Sequence, residues 1–209
     1  MSAYALSFHS AKLKPGVVSF AIAGLLPVSS IALHCAGFLS LTNCLLFVII
    51  PAFFVALVSS VNNRRLLKLV FRGWICGIVA VALYDVSRVP FILAGWEDFI
   101  PHIAAWLGGS DDHAYFIGYA WRYAGNGGGL GIVFFLLADY FGWRKYIVSN
   151  GVTYGLCVFA SLVVLLIVFP ESQEMMFKVT PLSFFGGLTG HIIYGFVLGK
   201  LYRVATRVK

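Results

Sequence analysis

The chain has 209 residues, of which 60% are hydrophobic and 11% charged, with a formal net charge of +7. Soluble domains carry about 25% charged residues, so this composition excludes an ordinary soluble fold and points to an integral membrane protein. The positive charge is not a nucleic-acid signal, because it is partitioned by side along the chain rather than gathered into one patch.

Six apolar stretches, residues 16–36, 38–60, 69–95, 113–141, 146–169 and 179–202, each reach the roughly 20 residues that a helix needs to cross the hydrocarbon core. The run over residues 45–57 is continuously apolar, unlike the alternating strands of a membrane β-barrel. The expectation is an all-α integral membrane helical bundle of six transmembrane helices. Lys12 and Lys14 precede the first stretch. Arg64, Arg65, Lys68 and Arg72 lie between the second and third, Arg144 and Lys145 between the fourth and fifth, and Lys200, Arg203, Arg207 and Lys209 after the sixth. Threaded through six spans, all fall on one side, while Glu97, Asp98, Asp111, Asp112, Glu171 and Glu174 face only Lys178 on the other. By the positive-inside rule both termini are cytoplasmic, with a bacterial inner membrane as the expected location.

The first two spans form an N-terminal hairpin with a basic cytoplasmic connection, residues 1–68; residues 69–209 form a four-helix unit. A cleaved signal peptide competes for the first span, but its apolar run is long for one. Cys35 and Cys44 flank the outer turn of this hairpin and are expected to be reduced. Pro27, Pro51 and Pro90 fall inside spans, where each removes a helical donor.

The third span carries Gly73, Gly77, Val81 and Asp85 at four-residue spacing, then Arg88 three residues on. Ionisable groups at membrane depth are costly and usually face protein or water, so Asp85 and Arg88 mark the region where the chain acts. The connection that follows, residues 96–112, has Phe99, Ile100, Ile103, Trp106 and Leu107 at helical spacing, expected as a short amphipathic helix on the outer membrane surface. The fourth span presents Gly118, Arg122 and Asn126 on one face, then Gly127, Gly128, Gly129 and Gly131, which implies either very close packing or a locally broken helix.

Small residues set the packing of the last two spans. Gly151 and Gly155 are four apart in the fifth. Ser183, Gly187, His191, Gly195 and Gly199 form a stripe along the sixth, the small-x-x-x-small pattern of membrane interfaces. Leu198 lies outside that stripe, so Gly195→Leu is expected to do more damage than Leu198→Ala. The pairing of Gly73 and Gly77 with Gly151 and Gly155, each after a basic residue, suggests a duplicated hairpin.

Counting depth at 1.5 Å per residue puts Asp85, Arg88, Arg122, Asn126 and His191 in the outer half or middle of the bilayer, where they form one expected polar cluster. Asp85 and Arg88 can pair along their helix. That leaves Arg122 requiring an anion, carbonyls or water. The cluster reads either as a pocket for an anionic or polar headgroup or as an architectural network fixing helix register. No catalytic residues, metal site or cofactor are assigned: His34 and His191 differ in depth, and Ser183 and His191 are two turns apart.

The order Tyr84-Asp85-x-x-Arg88, then Asn126-Gly127, then Pro170, then Gly190-His191-x-x-Tyr194-Gly195-x-x-x-Gly199 resembles a group of small uncharacterised bacterial multi-pass membrane proteins. The resemblance covers residues 69–203 and implies a four-helix unit, with no activity to carry over. It implies a histidine in the fourth span, where this chain has Trp121-Arg122-Tyr123, and that departure argues against a shared metal or two-histidine site. The leading expectation is an accessory or assembly subunit of a larger membrane complex, docking through its glycine faces. The alternatives are a small transporter or binding protein using the polar cluster, and an enzyme acting on lipid headgroups. The expected partners are the lipid bilayer and either other membrane subunits or further copies of the chain, with no nucleic acid.

Overall fold

The computed structural model describes residues 14–108 and 114–206. Expectations that involve Lys12, Asp111, Asp112, His113, Arg207 and Lys209 lie outside the described residues. The described chain is helical throughout, with no strand among the described residues. Helix α1 spans Pro15–Cys35, and α2 spans Leu41–Val58 with a π turn at Cys44–Ile49 ahead of Pro51. Helix α3 is Arg64–Leu93 and the short α4 is Ile100–Trp106. Helix α5 runs over residues 114–140 as Ala114–Ala120, a π turn Trp121–Gly127, and Gly128–Tyr140. Helix α6 is Ile147–Val168, the short α7 is Glu171–Met175, and α8 is Pro181–Ala205.

Helices α1, α2, α3, α6 and α8 are long and apolar enough to cross a membrane. Helix α5 is also long, but glycines and the polar Arg122, Asn126 and Asp139 dilute its apolar character. Its environment explains the difference. From Gly127 to Leu136 every residue is buried, so protein surrounds this stretch where lipid would otherwise demand an apolar exterior.

Packing runs from helix to helix in one order: α2 on α1, α1 on α5, α5 on α3, α3 on α8 and α8 on α6. Glycines make three of these contacts close. Gly24 of α1 meets the backbone of Gly129, Gly73 and Gly77 of α3 meet that of Gly127 and Gly131, and Gly151 and Gly155 of α6 meet that of His191, Gly195 and Gly199. A Cβ at any of these glycines would press on a neighbouring main chain, so the small residues set the distance between the helices. Gly187 meets the Phe159 ring instead. The expected glycine stripes are therefore occupied by contacts within this chain. The first hairpin is joined to the rest along α1, and the boundary drawn at residue 68 falls inside α3.

One expectation changes here, and of two alternatives for the glycine-rich part of α5 close packing holds. The amphipathic helix is present as α4, but Ile100, Ile103 and Ala104 are fully buried and Gly118 of α5 abuts the Ile100 carbonyl. Its apolar face is spent on the bundle rather than on the membrane surface. The glycine-rich part of α5 is not a break. The helix continues through the π turn, and carbonyls there accept side-chain donors: Ala124 from Trp74 Nε1 at 3.0 Å and Gly127 from the Tyr194 hydroxyl at 2.8 Å. The C-terminal end of α3 is closed by Gly95, whose φ of 106° turns the chain so that the Trp96 N–H donates back to the Phe91 carbonyl.

Candidate functional site

Asp85 and Arg88 sit one turn apart on α3, and Arg122 reaches them from the π turn of α5. Arg122 Nε donates to both Asp85 oxygens at 2.8 and 2.9 Å, and its Nη2 also bonds Oδ1. Arg88 makes a longer contact to Asp85 at 3.4 Å and a better one, 3.0 Å, to Asp98. Asp98 lies in the connection after α3. Its carboxylate also accepts the Ile100 N–H at 3.2 Å and the Tyr119 hydroxyl at 3.0 Å. The result is a continuous chain, Arg122 to Asp85 to Arg88 to Asp98 to Tyr119, joining α3, α4 and α5. Arg88 is 1% exposed and Arg122 8%.

Aromatic faces complete the surroundings of both cations. Arg88 lies over Trp96 at 4.7 Å and Arg122 over Tyr84 at 4.6 Å. These rings fit because α8 presents glycine to them: Gly186 leaves room for Trp96 and Gly190 for Tyr84. Stacked guanidinium groups and shared carboxylates are how buried charge is tolerated.

His191 enters from α8. Its Nδ1 lies 2.7 Å from the Gly187 carbonyl, which can only accept, so Nδ1 carries the hydrogen and Nε2 of the neutral ring is an acceptor. The ring meets Tyr84 edge-on at 5.0 Å. Arg88, Arg122, Asn126 and His191 together line a cavity of about 290 Å³. Its remaining walls are mostly apolar, with Leu25 and Ile31 of α1, Leu130 of α5 and Leu162 of α6 beside the hydroxyls of Ser29, Ser161 and Tyr194, and its roof is Trp96, Phe99, Met176 and Phe177. Three buried polar atoms of cavity-lining residues have no hydrogen-bond partner among the described residues: Arg88 Nε, Trp96 Nε1 and Asn126 Oδ1.

Four of the five cluster residues expected from the sequence thus line one cavity, and the fifth, Asp85, joins Arg122 to Arg88. Two details differ. Arg122 does not lack an anion, since Asp85 serves it first, and Arg88 turns to Asp98 instead. With two guanidinium groups matched by two carboxylates, the cavity presents no excess positive charge, which removes the electrostatic reason to expect an anionic headgroup. Asp98 and Trp96 are the residues that sequence reasoning missed, because both read as part of the acidic connection after the third span; Tyr119 is among the tyrosines expected to supply a hydroxyl, and it does so to Asp98. The available signal was the charge balance of the expected cluster itself, Arg88 and Arg122 against Asp85 alone, which calls for a second carboxylate near Arg88. Among the described residues no three His, Cys, Asp or Glu side chains gather as metal ligands. Cys35 and Cys44 are both buried and unbridged. No family model, curated protein or solved structure matches the chain.

Proposed function

We propose that this chain is a membrane-embedded binding or transport protein for a small polar-headed molecule, held in the cavity between α1, α3, α5, α6 and α8. The observation that carries the reading is the cavity itself. It is apolar over most of its wall and polar at one end, where His191 Nε2 and the Asn126 amide stand beside a neutralised charge chain. Ligand sites have this construction, a mainly apolar concavity with a few placed polar groups. The topology proposed with it has six spans, α5 being the fourth, in a bacterial inner membrane with both termini cytoplasmic. Support comes from the basic residues at one end of the bundle: Lys14 before α1, Arg64 and Arg65 at the start of α3, Arg144 and Lys145 before α6, and Arg203 at the end of α8.

The accessory-subunit reading loses its main argument, because the glycine faces meant for docking are filled by this chain's own helices. The enzyme reading finds, among the described residues, no hydrogen bond between a cavity hydroxyl and His191, whose Nδ1 is committed to the Gly187 carbonyl. The test is native mass spectrometry of the protein purified in mild detergent. The expected result is a small molecule retained by the wild type and lost in Asn126→Leu and His191→Leu. A wild type that carries no small molecule and co-purifies with a second protein at equal stoichiometry would restore the subunit reading.

A further inference from the structure

We infer that the ligand of this cavity enters sideways from the bilayer, between α1 and α6, and is a single-chain amphiphile with an uncharged or zwitterionic head that donates a hydrogen bond. The inference rests on the reading of the cavity as a binding site. Its first support is what closes the other directions. On the acidic side the roof is tightly built: Phe177 meets Trp96 at 5.5 Å and Phe99 at 5.7 Å, and Ile103 of α4 joins the same apolar cluster. On the basic side the path is filled by the tilted and edge-on ring contacts of Phe134 with Tyr154 at 5.4 Å and Phe135 with Tyr202 at 4.9 Å, tied by the Tyr154 hydroxyl to the Leu130 carbonyl at 2.9 Å.

The second support is the helix order. Helix α1 packs along α5 and α6 packs along α8, but α1 and α6 do not pack along one another, although both line the cavity. Leu25 and Ser29 of α1 and Ser161 of α6 line the cavity and are also exposed. Residues that are both mark a window, and one between two lipid-facing helices opens on lipid rather than water. Ser161 is fitted to that position, since its hydroxyl donates to the Cys157 carbonyl of its own helix at 2.9 Å and asks nothing of the solvent.

The chemistry of the occupant follows from the two ends of the site. A strongly anionic head would find both guanidinium groups already matched by Asp85 and Asp98. His191 Nε2, an acceptor at the cavity, calls for a donor such as a hydroxyl or amine. A volume of about 290 Å³ lies at the lower end of ligand pockets, enough for a head and part of one chain, with the rest of the tail lying in the window.

The experiment uses the full chain in proteoliposomes with two photoreactive diazirine probes, a long-chain monoacylglycerol and a small water-soluble glycol, and reads crosslinked residues by mass spectrometry. The lipid probe is expected to label Leu130, Leu162 and Tyr194 inside the cavity as well as Phe47 and Val55 on the outer face of α2. Ser29→Trp with Ser161→Trp is expected to lose the interior labels and keep those on α2, which also reports that the variant is folded. The same loss is expected when Ser29→Cys and Ser161→Cys, combined in a Cys157→Ala background, are bridged by a short crosslinker after folding. Interior labelling that persists in both closed forms, or that comes from the water-soluble probe alone, overturns the lateral route and leaves the binding reading standing. No interior labelling of the wild type by either probe overturns the binding reading, and this inference with it.

Discussion

In the α3–α5 pair, Gly73 and Gly77 press on the main chain of Gly131 and Gly127; in the α6–α8 pair, Gly151 and Gly155 press on that of Gly195 and His191. Each pair is linked through a short helix, α4 or α7, and the residues flanking those links meet in the cavity roof. The α6–α8 pair keeps this close approach with His191 as the one titratable group among the four residues in contact. The α3–α5 pair adds Asp85, Arg88 and Arg122 beside the same kind of seam. Charge is therefore not what brings two such helices together in this protein. Because burying an ion pair is commonly neutral or unfavourable next to an apolar replacement, stability alone does not account for these charged residues, of which Arg88 and Arg122 border the cavity.

The strongest way to break that comparison is to attack the seams themselves. Gly77→Leu and Gly195→Leu should each abolish monodisperse protein in size-exclusion chromatography. Overpacking costs about 1–3 kcal/mol where side chains can shift, and here the obstacle is backbone. Leu198→Ala is the comparator. Leu198 is fully buried, so truncation should cost about 2–5 kcal/mol and lower the apparent Tm without loss of the fold. That contrast is narrower than the stripe alone implied, because Leu198 is a core residue in its own right. Recovery of Gly77→Leu with Gly195→Leu lost would mean the two seams are not equivalent.

Next come the charges. Arg122→Ala leaves the Asp85 carboxylate with only the 3.4 Å contact to Arg88 and should cost about 3–5 kcal/mol, whereas Asp85→Leu with Arg122→Met should recover most of that loss. Thermal unfolding of the single and double variants closes the cycle. A double variant as unstable as the single one would make the charge chain structural and undo the contrast between the pairs. A smaller effect, about 1 kcal/mol, is expected for Tyr194→Phe, which removes a buried hydroxyl donor from the Gly127 carbonyl and loosens α8 from the π turn. Smallest is Arg65→Ala. Its contact with Asp139 at 3.3 Å is largely solvent-exposed, so no measurable change in Tm is expected; a shift of several degrees would show that the basic end contributes more than its exposure suggests.

The helical class and the glycine contacts were legible in the sequence because composition and four-residue spacing follow directly from lipid exposure and helix geometry. Asp85, Arg88, Arg122, Asn126 and His191 were legible as a group for the related reason that polar residues at depth must find one another. Which acid serves which arginine was not, since that depends on the turn at Gly95 folding the connection back beneath α4. The burial of α4 was hidden as well. An apolar helical face has the same pattern whether it meets lipid or protein, and only Gly118, small enough to admit the Ile100 carbonyl, marks the difference.

The π turn at Trp121–Gly127 bears on how α5 tolerates insertion and deletion. A π turn holds one residue more than the α-helical path it replaces. Were these seven residues α-helical, everything before them would rotate by about 100° against everything after. Gly118 and Tyr119 would then leave Ile100 and Asp98 while Gly127 and Gly131 stayed on α3. The turn thus indexes two faces of one helix independently. Loss of a single residue within it can be absorbed by conversion to α-helix with both faces kept in place, whereas the same loss a turn later, among Gly128–Leu136, would pull the helix off both of its neighbours at once.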